Sequence, residues 1–513
     1  MRRCFFIFIL AIMAVLVRTS VPAQDLASFE KRTTVKVLKN GLTVILCERP
    51  EAPVFSFFTI VNAGAVQDPQ GESGMAHMFE HMAFKGTDRI GTTDYVREKV
   101  ALAKVDAAWV AYDQADRKEA GRDPKQVAEL KKAFDKAVED ANQYVIKNRF
   151  GEIVEREGGV GLNASTSMDS TQYFYSLPAN RFEIWAYLES ARFSHPVLRE
   201  FYKEREVVHE ERRLRTDSNP IGKMIEQFMA AAYTAHPYGR SGVGWPSELD
   251  HLTAPEAAQF YRKYYTPSNT VIALVGALKP EQVFPIIEKY FGSIPAAPKP
   301  EPLTTIEPEQ FAERVVIMHD KSQPFYIEGY HRPNDHDPDD AVYGVISDLI
   351  SQGRTSRLYR SMVRDKKIAA GAAGFSGLPG TKYPGLFSFF AIPLPGHTPQ
   401  EMAQAIHEQI ERLKNEDVSD EELQMVKTRT KANLIRQLAN NQGLAIQLAS
   451  SQQRYGDWRE LFRSVDKIDK VTKADIRRVA NKTFVAGNRT VAIIENDPAP
   501  PKAATADKQK ETH

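Results

Sequence analysis

GESGMAHMFEHMAFKGT, at residues 71–87, is the most informative segment of this 513-residue chain. Its pattern predicts a helix that begins near Gly74. His77 and His81 are four residues apart, so their imidazoles leave the same face of a helix about one turn apart. This spacing lets both rings bind one Zn²⁺. Glu80 lies on that side and can accept a proton from a water molecule as the water attacks a carbonyl.

Two histidines do not complete a catalytic zinc site, which needs a third protein ligand and an open fourth position. The acidic segment KEREVVHEERRLR, residues 203–215, is the obvious donor. Its residues leave five candidates open: Glu204, Glu206, His209, Glu210 and Glu211. Helical periodicity places Glu204 and Glu211 on one face, and Glu206 and Glu210 on another.

The segments around the motif alternate between strand and helix patterns. The runs TVKVLKNGLTVILCE and VFSFFTIVNAG precede it, and GVGLNASTSMDSTQYFYSL and VIALVG follow it, all with the β-rich composition of strands. Residues from about 93 to 148 instead have helical spacing, interrupted at residues 121–124, and predict a helical hairpin inserted into the domain. The fold class predicted is α+β, with sheets packed by helices.

The second half of the chain repeats the plan of the first. A proline-rich stretch at residues 295–310 is the best linker, and strand, helix and strand patterns recur after it. The helix expected at 341–352 takes the place of the motif helix but has no His or Glu. We therefore predict a zinc-bearing domain at 24–294, an inactive domain at 311–497 and a disordered tail at 498–513.

The N-terminus and the composition restrict the compartment and the partners. Residues 1–23 have a basic start, an apolar run and a small-residue cleavage site, which is the pattern of a signal peptide. We expect an exported protein, with the Gram-negative periplasm as the preferred location, although an uncleaved anchor is the alternative. Lys and Arg total 67 against 66 for Asp and Glu, so nucleic acid is not an expected partner.

The quoted motif also resembles a known family. GMAHMFEHMAFKGT is similar to the inverted zinc motif HxxEH. Its surroundings resemble the pitrilysin/insulinase family, especially the bacterial branch that is like the mitochondrial processing peptidase. The supporting stretches are NGLTVIL, GLNASTSMDSTQYFY, FYKEREVVHEERRLR and, for the inactive repeat, SQGRTSRLYRSMVRDKKIA.

The resemblance implies two homologous α/β-roll domains, each an antiparallel sheet packed by helices, with the active site in the first. It implies one Zn²⁺ per chain, bound by His77 and His81, with Glu80 as the general base. The family's zinc glutamate lies three residues past an apolar pair, which makes Glu211 the third ligand. Glu204 then matches the supporting acidic residue. The stretch between His81 and Glu211 is longer than in the family, and the helical insertion fits the excess.

The resemblance also implies residues that bind substrate. Asn163 matches a family residue beside the peptide, on a strand that pairs with the substrate by its edge. Arg364 matches a substrate-binding Arg of the second half, but Gly371 stands where the family has Tyr. Either the alignment slips here, since Tyr359 is nearby, or a second family chain supplies the missing groups in a heterodimer. A homodimer and a monomer are the alternatives to the heterodimer.

The predicted function is that of a zinc-dependent metalloendopeptidase that cleaves peptides or unfolded polypeptide segments in the cell envelope. The alternative from another class is a non-catalytic core or scaffold subunit of the same fold. Loss of the motif would mark that alternative, whereas this chain retains His77, Glu80, His81 and Glu211.

Overall fold

The computed structural model describes residues 26–496. The predicted signal peptide (1–23) and the predicted disordered tail (498–513) lie outside the described residues. The strands are β1 (Thr33–Val37), β2 (Thr43–Glu48), β3 (Val54–Val61), β4 (Val160–Thr166), β5 (Thr171–Pro178), β6 (Thr270–Gly276), β7 (Arg314–His319), β8 (Phe325–Arg332), β9 (Ala369–Leu378), β10 (Gly385–Pro393) and β11 (Arg489–Glu495).

The helices account for most of the remaining chain. They are α1 (Leu26–Glu30), α2 (Met75–Met82), α3 (Tyr95–Asp116), α4 (Pro124–Asn142), α5 (Arg149–Arg156), α6 (Phe182–Arg192), α7 (Phe201–Arg212), α8 (Pro220–Ala232), α9 (Pro246–Leu249), α10 (Ala254–Tyr264), α11 (Pro280–Phe291), α12 (Asp340–Ser351), α13 (Pro399–Asn415), α14 (Asp420–Gln437), α15 (Asn441–Tyr455), α16 (Glu460–Lys470) and α17 (Lys473–Thr483). Within the described part of the chain, no helix is both long enough and apolar enough to span a membrane.

The chain forms two compact units, each built on one sheet. The first unit holds residues 26–205, 247–302 and 428–469, and the second holds 206–246, 303–427 and 470–496. The sheet of the first unit has the order β1-β2-β6-β3-β5-β4, and that of the second has the order β7-β11-β8-β10-β9. The predicted α+β class with two similar sheets is confirmed. Beyond the antiparallel pairing that was expected, each sheet contains one parallel pair, β2 with β6 and β7 with β11.

Each unit takes a helix from the other half of the sequence. In the first unit, α15 packs on β3 and β6, and its Leu444 and Leu448 are fully buried against Phe58 and Ile60. In the second unit, α8 packs on β7 and β11. The compact units therefore differ in their bounds from the domains at 24–294 and 311–497, which stay a prediction about the sequence repeat.

The predicted helical hairpin is present in the first unit. α3 and α4 lie side by side, and the turn between them contains Gly121, whose φ of +71° suits a residue without Cβ. Asp123 begins α4 by accepting a hydrogen bond from the Lys125 backbone N–H at 2.9 Å. Inside the hairpin, Trp109 packs against Phe134, with ring centroids 5.1 Å apart.

Candidate metal centre

The motif helix α2 begins at a defined cap. Gly74 precedes it with φ +88°, a left-handed conformation that favours glycine. The carboxylate of Asp68, only 4% exposed, accepts hydrogen bonds from the backbone N–H groups of Gly74 at 2.7 Å and Ala76 at 2.8 Å. These bonds satisfy donors that the first turn leaves unpaired, and the negative charge suits a helix N-terminus.

The structure brings three of the predicted ligands together. The rings of His77 and His81 lie 4.8 Å apart, centroid to centroid, and nearly perpendicular. One donor atom from each of His77, His81 and Glu211 lies within 4.8 Å of the other two. Among residues 26–496 this is the one group in which three or more His, Cys, Asp or Glu side chains are close enough together to hold a metal ion. Two imidazoles and one carboxylate, with a coordination position left over, are a donor set that fits catalytic zinc.

The other acidic candidates of α7 have different partners. Glu210 is exposed, and both of its carboxylate oxygens accept hydrogen bonds from Arg213, at 2.5 and 2.8 Å. Glu206 is also exposed. Glu211 is instead mostly buried and also contacts Arg215 at 2.8 Å. The geometry thus distinguishes Glu211 from Glu206 and Glu210 as a candidate ligand, whereas residue spacing alone left all three as candidates.

Glu204 contacts a histidine of this group. Its Oε1 lies 3.0 Å from Nδ1 of His81, and its Oε2 lies 2.5 Å from Nζ of Lys85. Burial raises the pKa of Glu204, but hydrogen bonds from His81 and Lys85 outweigh it and hold the pKa below its usual value. An ionised Glu204 favours the tautomer of His81 that carries its proton on Nδ1, because that nitrogen can then donate to the carboxylate.

Glu80 is held by a residue that the sequence reasoning missed. Thr166, the last residue of β4, donates its hydroxyl hydrogen to Oε2 of Glu80 at 2.6 Å. Lys85 and Asp68 were missed as well. Asp68 is six residues before Gly74 and so lies outside the usual N-cap position, and no local pattern connects Thr166 to a residue 86 positions earlier.

A pocket of about 370 Å³ opens beside Glu80 and His81. Asn163 lines it, exposed on β4, which is the edge strand of its sheet. Residues 145–148 at the end of the helical insertion form another part of its wall. The pocket therefore joins the general-base candidate to the edge strand of this sheet.

Arg364 lies in the second unit, in a π-helical turn that spans Tyr359–Asp365. Its guanidinium is 58% exposed and donates two hydrogen bonds to Asp365, at 2.6 and 3.1 Å. Gly371 is on β9, at an edge of its sheet, and a Cβ at this position would meet no atom within 4 Å. A role for Arg364 in substrate binding stays a prediction.

Comparison with known proteins identifies the family. Residues 43–114, which contain the histidines and Glu80, match the model for insulinase (peptidase family M16). Residues 251–430 match the peptidase M16 inactive domain. The zinc protease PqqE of Helicobacter pylori is 27% identical over 95% of this chain and 98% of its own. The chain belongs to the pitrilysin/insulinase (M16) family. The family predicted from the motif is therefore confirmed, and the inactive-domain match includes α12, which has neither His nor Glu.

Other M16 proteins extend the comparison. The probable mitochondrial-processing peptidase subunit beta of Arabidopsis thaliana is 23% identical over 90% of this chain and 78% of its own. A crystal structure of a protease from Helicobacter pylori has a TM-score of 0.75 and 25% identity, and covers 90% of this chain and 99% of its own. The first half of the periplasmic protease PqqL from Escherichia coli has a TM-score of 0.66 at 18% identity over 91% of this chain and 92% of its own, a likeness of fold.

Proposed function

We propose that this chain is a zinc-dependent endopeptidase that cleaves peptides or unfolded polypeptide segments. The observation that carries the proposal is the convergence of donor atoms from His77, His81 and Glu211 within 4.8 Å. The two histidines are on α2, the helix that also presents Glu80, and Glu211 comes from α7. Relatives that carry the name zinc protease support it.

In this proposal the protein supplies the base and its orientation. Zinc, when bound, supplies Lewis acidity that activates water and polarises a carbonyl. Glu80 accepts the proton of the attacking water and returns it to the leaving amine. Thr166 donates to Oε2 of Glu80, which helps to orient the carboxylate. Glu204 holds the ring of His81 through Nδ1, which would keep that ring oriented as a ligand for the metal.

We further propose that the substrate binds as an additional strand on β4. An edge strand offers unpaired backbone groups, so it recognises extended chain through its backbone more than through its side chains. Asn163 lies on this edge beside the pocket next to Glu80. Such recognition suits peptides and unfolded segments, which can become extended, and disfavours folded proteins.

The proposal includes an envelope location and a partner. The signal-peptide pattern of residues 1–23 supports export, and the similar fold of PqqL, which is described as periplasmic, supports the periplasm. A second family chain, or a second copy of this one, would supply the groups that Gly371 cannot. The similar mitochondrial protein is itself described as a subunit, which supports the pairing.

The test is Glu80→Gln in the purified protein, or in its native complex. We expect zinc content to stay at the wild-type level and cleavage of an unfolded model peptide to fall by about 10²- to 10⁴-fold, the range for loss of a general base. Glu210→Gln, at an exposed position, serves as the matched control and should change neither. Retained cleavage in Glu80→Gln would refute the assigned base. If the wild-type protein bound zinc yet showed no chelator-sensitive cleavage, the scaffold alternative would replace the proposal.

A further inference from the structure

A buried arginine organises the loop that follows the motif helix. Arg199, whose side chain is 1% exposed, donates hydrogen bonds to three backbone carbonyls of this loop: Lys85 at 2.6 Å, Thr87 at 2.7 Å and Ile90 at 2.9 Å. A Cβ added to Gly86 would lie 2.9 Å from the Arg199 guanidinium. The loop is therefore wrapped closely around one positive charge.

The counter-charge to Arg199 comes from the helical insertion. Glu98, in the first turn of α3, is 0% exposed, and its two oxygens accept from Arg199 at 2.7 and 3.1 Å. A buried guanidinium is stable only when it is paired and hydrogen-bonded. The insertion thus supplies the charge that allows Arg199 to hold the loop.

The same loop leads directly to the metal centre. Arg199 holds the backbone of Lys85, and Nζ of Lys85 lies 2.5 Å from Glu204. Glu204 in turn contacts Nδ1 of His81 at 3.0 Å. A continuous series of contacts therefore runs from Glu98 in the insertion to a predicted zinc ligand, through groups that are all at least mostly buried.

Two further contacts join the insertion to the elements around the site. After α4, the Ile146 backbone N–H donates to the Gly91 carbonyl at 3.0 Å, so the end of the insertion is paired with the end of the same loop. On α3, Trp109 packs against Tyr202 of α7, with ring centroids 5.1 Å apart. The insertion thus contacts both the loop after α2 and the start of the helix that carries Glu204.

We propose that Glu98 is a positioning residue for the metal centre, which acts through Arg199 and Lys85 on Glu204 and His81. The insertion is then a required part of the site and not only a solvated addition to the domain. This inference rests on the proposed zinc function, but its main measurement, zinc affinity, does not depend on catalysis.

The experiment compares Glu98→Gln with Asp113→Asn in the full chain. Asp113 is also on α3, its carboxylate is 10% exposed, and it contacts His251 at 2.6 Å and Arg117 at 2.7 Å, away from the loop. We expect Glu98→Gln to weaken zinc binding by about 10-fold, the lower end of the range for supporting residues, and to lower kcat similarly with KM unchanged. Asp113→Asn should leave zinc affinity, kcat and KM at wild-type values. Glu98→Asp, which keeps the charge, should recover part of the loss.

A second arm covers the case in which loss of the buried charge prevents folding. Lys85 is 21% exposed, so the Lys85→Met variant should fold. It should also bind zinc more weakly than the wild type. Lys85→Arg keeps the positive charge and should bind zinc about as tightly as the wild type. Chelator competition measures the affinity even if no cleavage is found, so failure of the peptidase proposal remains distinguishable. Wild-type zinc affinity in folded Glu98→Gln or in Lys85→Met, or equal losses in Asp113→Asn, would overturn the inference.

Discussion

Individual residues of α2 have distinct surroundings that match their proposed roles. His77 is 7% exposed, whereas Glu80 and His81 are partly exposed and line the pocket. Burial fixes the orientation of one ring, and partial exposure gives the base and the second ring access to a substrate. Supporting contacts from Thr166 and Glu204 then limit how the exposed pair can rotate.

Glu211 can be tested against its neighbour on the same helix. Glu211→Gln removes a charged donor from the group of three, and we expect zinc affinity to fall by at least about 10-fold, because a direct ligand matters more than a supporting residue. Glu210→Gln should have no effect, since Glu210 is exposed and bonded to Arg213. The zinc content of each variant is measured by metal analysis after dialysis against a weak chelator. Unchanged zinc in Glu211→Gln would direct attention to Glu204.

At the scale of secondary structure elements, the exchanged helix α15 is the feature with the clearest energetic consequence. Leu448 is fully buried against the first sheet, so Leu448→Ala should lower the free energy of unfolding by about 2–5 kcal/mol. Ile435 on α14 is 52% exposed, and Ile435→Ala should change it by less than about 0.5 kcal/mol. Urea denaturation followed by circular dichroism compares the two. Similar effects in both variants would contradict the packing of α15.

At the scale of the whole molecule, the open question is what completes the site. Gly371 presents no side chain, and Arg364 is bonded to Asp365, so these two positions do not supply the Arg and Tyr pair that the family resemblance implies. We expect that the native complex contains this chain and a second M16 chain. We also expect it to cleave peptides at least about 10²-fold faster than the chain alone, which is the lower end of the range for one oxyanion donor.

Native mass spectrometry of the complex, purified from its own cells, gives the number and identity of the chains, and a peptide assay gives the rates. A complex of two identical chains would support the homodimer alternative. A fully active monomer would show that the partner is not needed and that the groups for the oxyanion come from elsewhere in this chain.

The local parts of the site could be predicted from sequence because their geometry is a property of one element. Residues four apart on a helix share a face in any protein, so His77 and His81 predicted a metal pair without knowledge of the fold. The helical insertion was predictable for the same reason, since spacing, a break at residues 121–124 and composition are all local. The α+β class followed from the alternation of strand and helix patterns.

Contacts between distant segments had no such pattern. Periodicity left five candidates on α7, and resemblance to a family selected Glu211; the folded chain then brought it within 4.8 Å of the imidazoles. The Glu98–Arg199 pair, the Thr166–Glu80 bond, the parallel strand pairs and the exchange of α8 and α15 arise from packing between residues far apart in the chain. The sequence alone determined which chemical groups share one helix, because residue spacing fixes that geometry. Which residues support those groups was decided only by the tertiary structure, because it depends on which buried surfaces and charges meet when the whole chain folds.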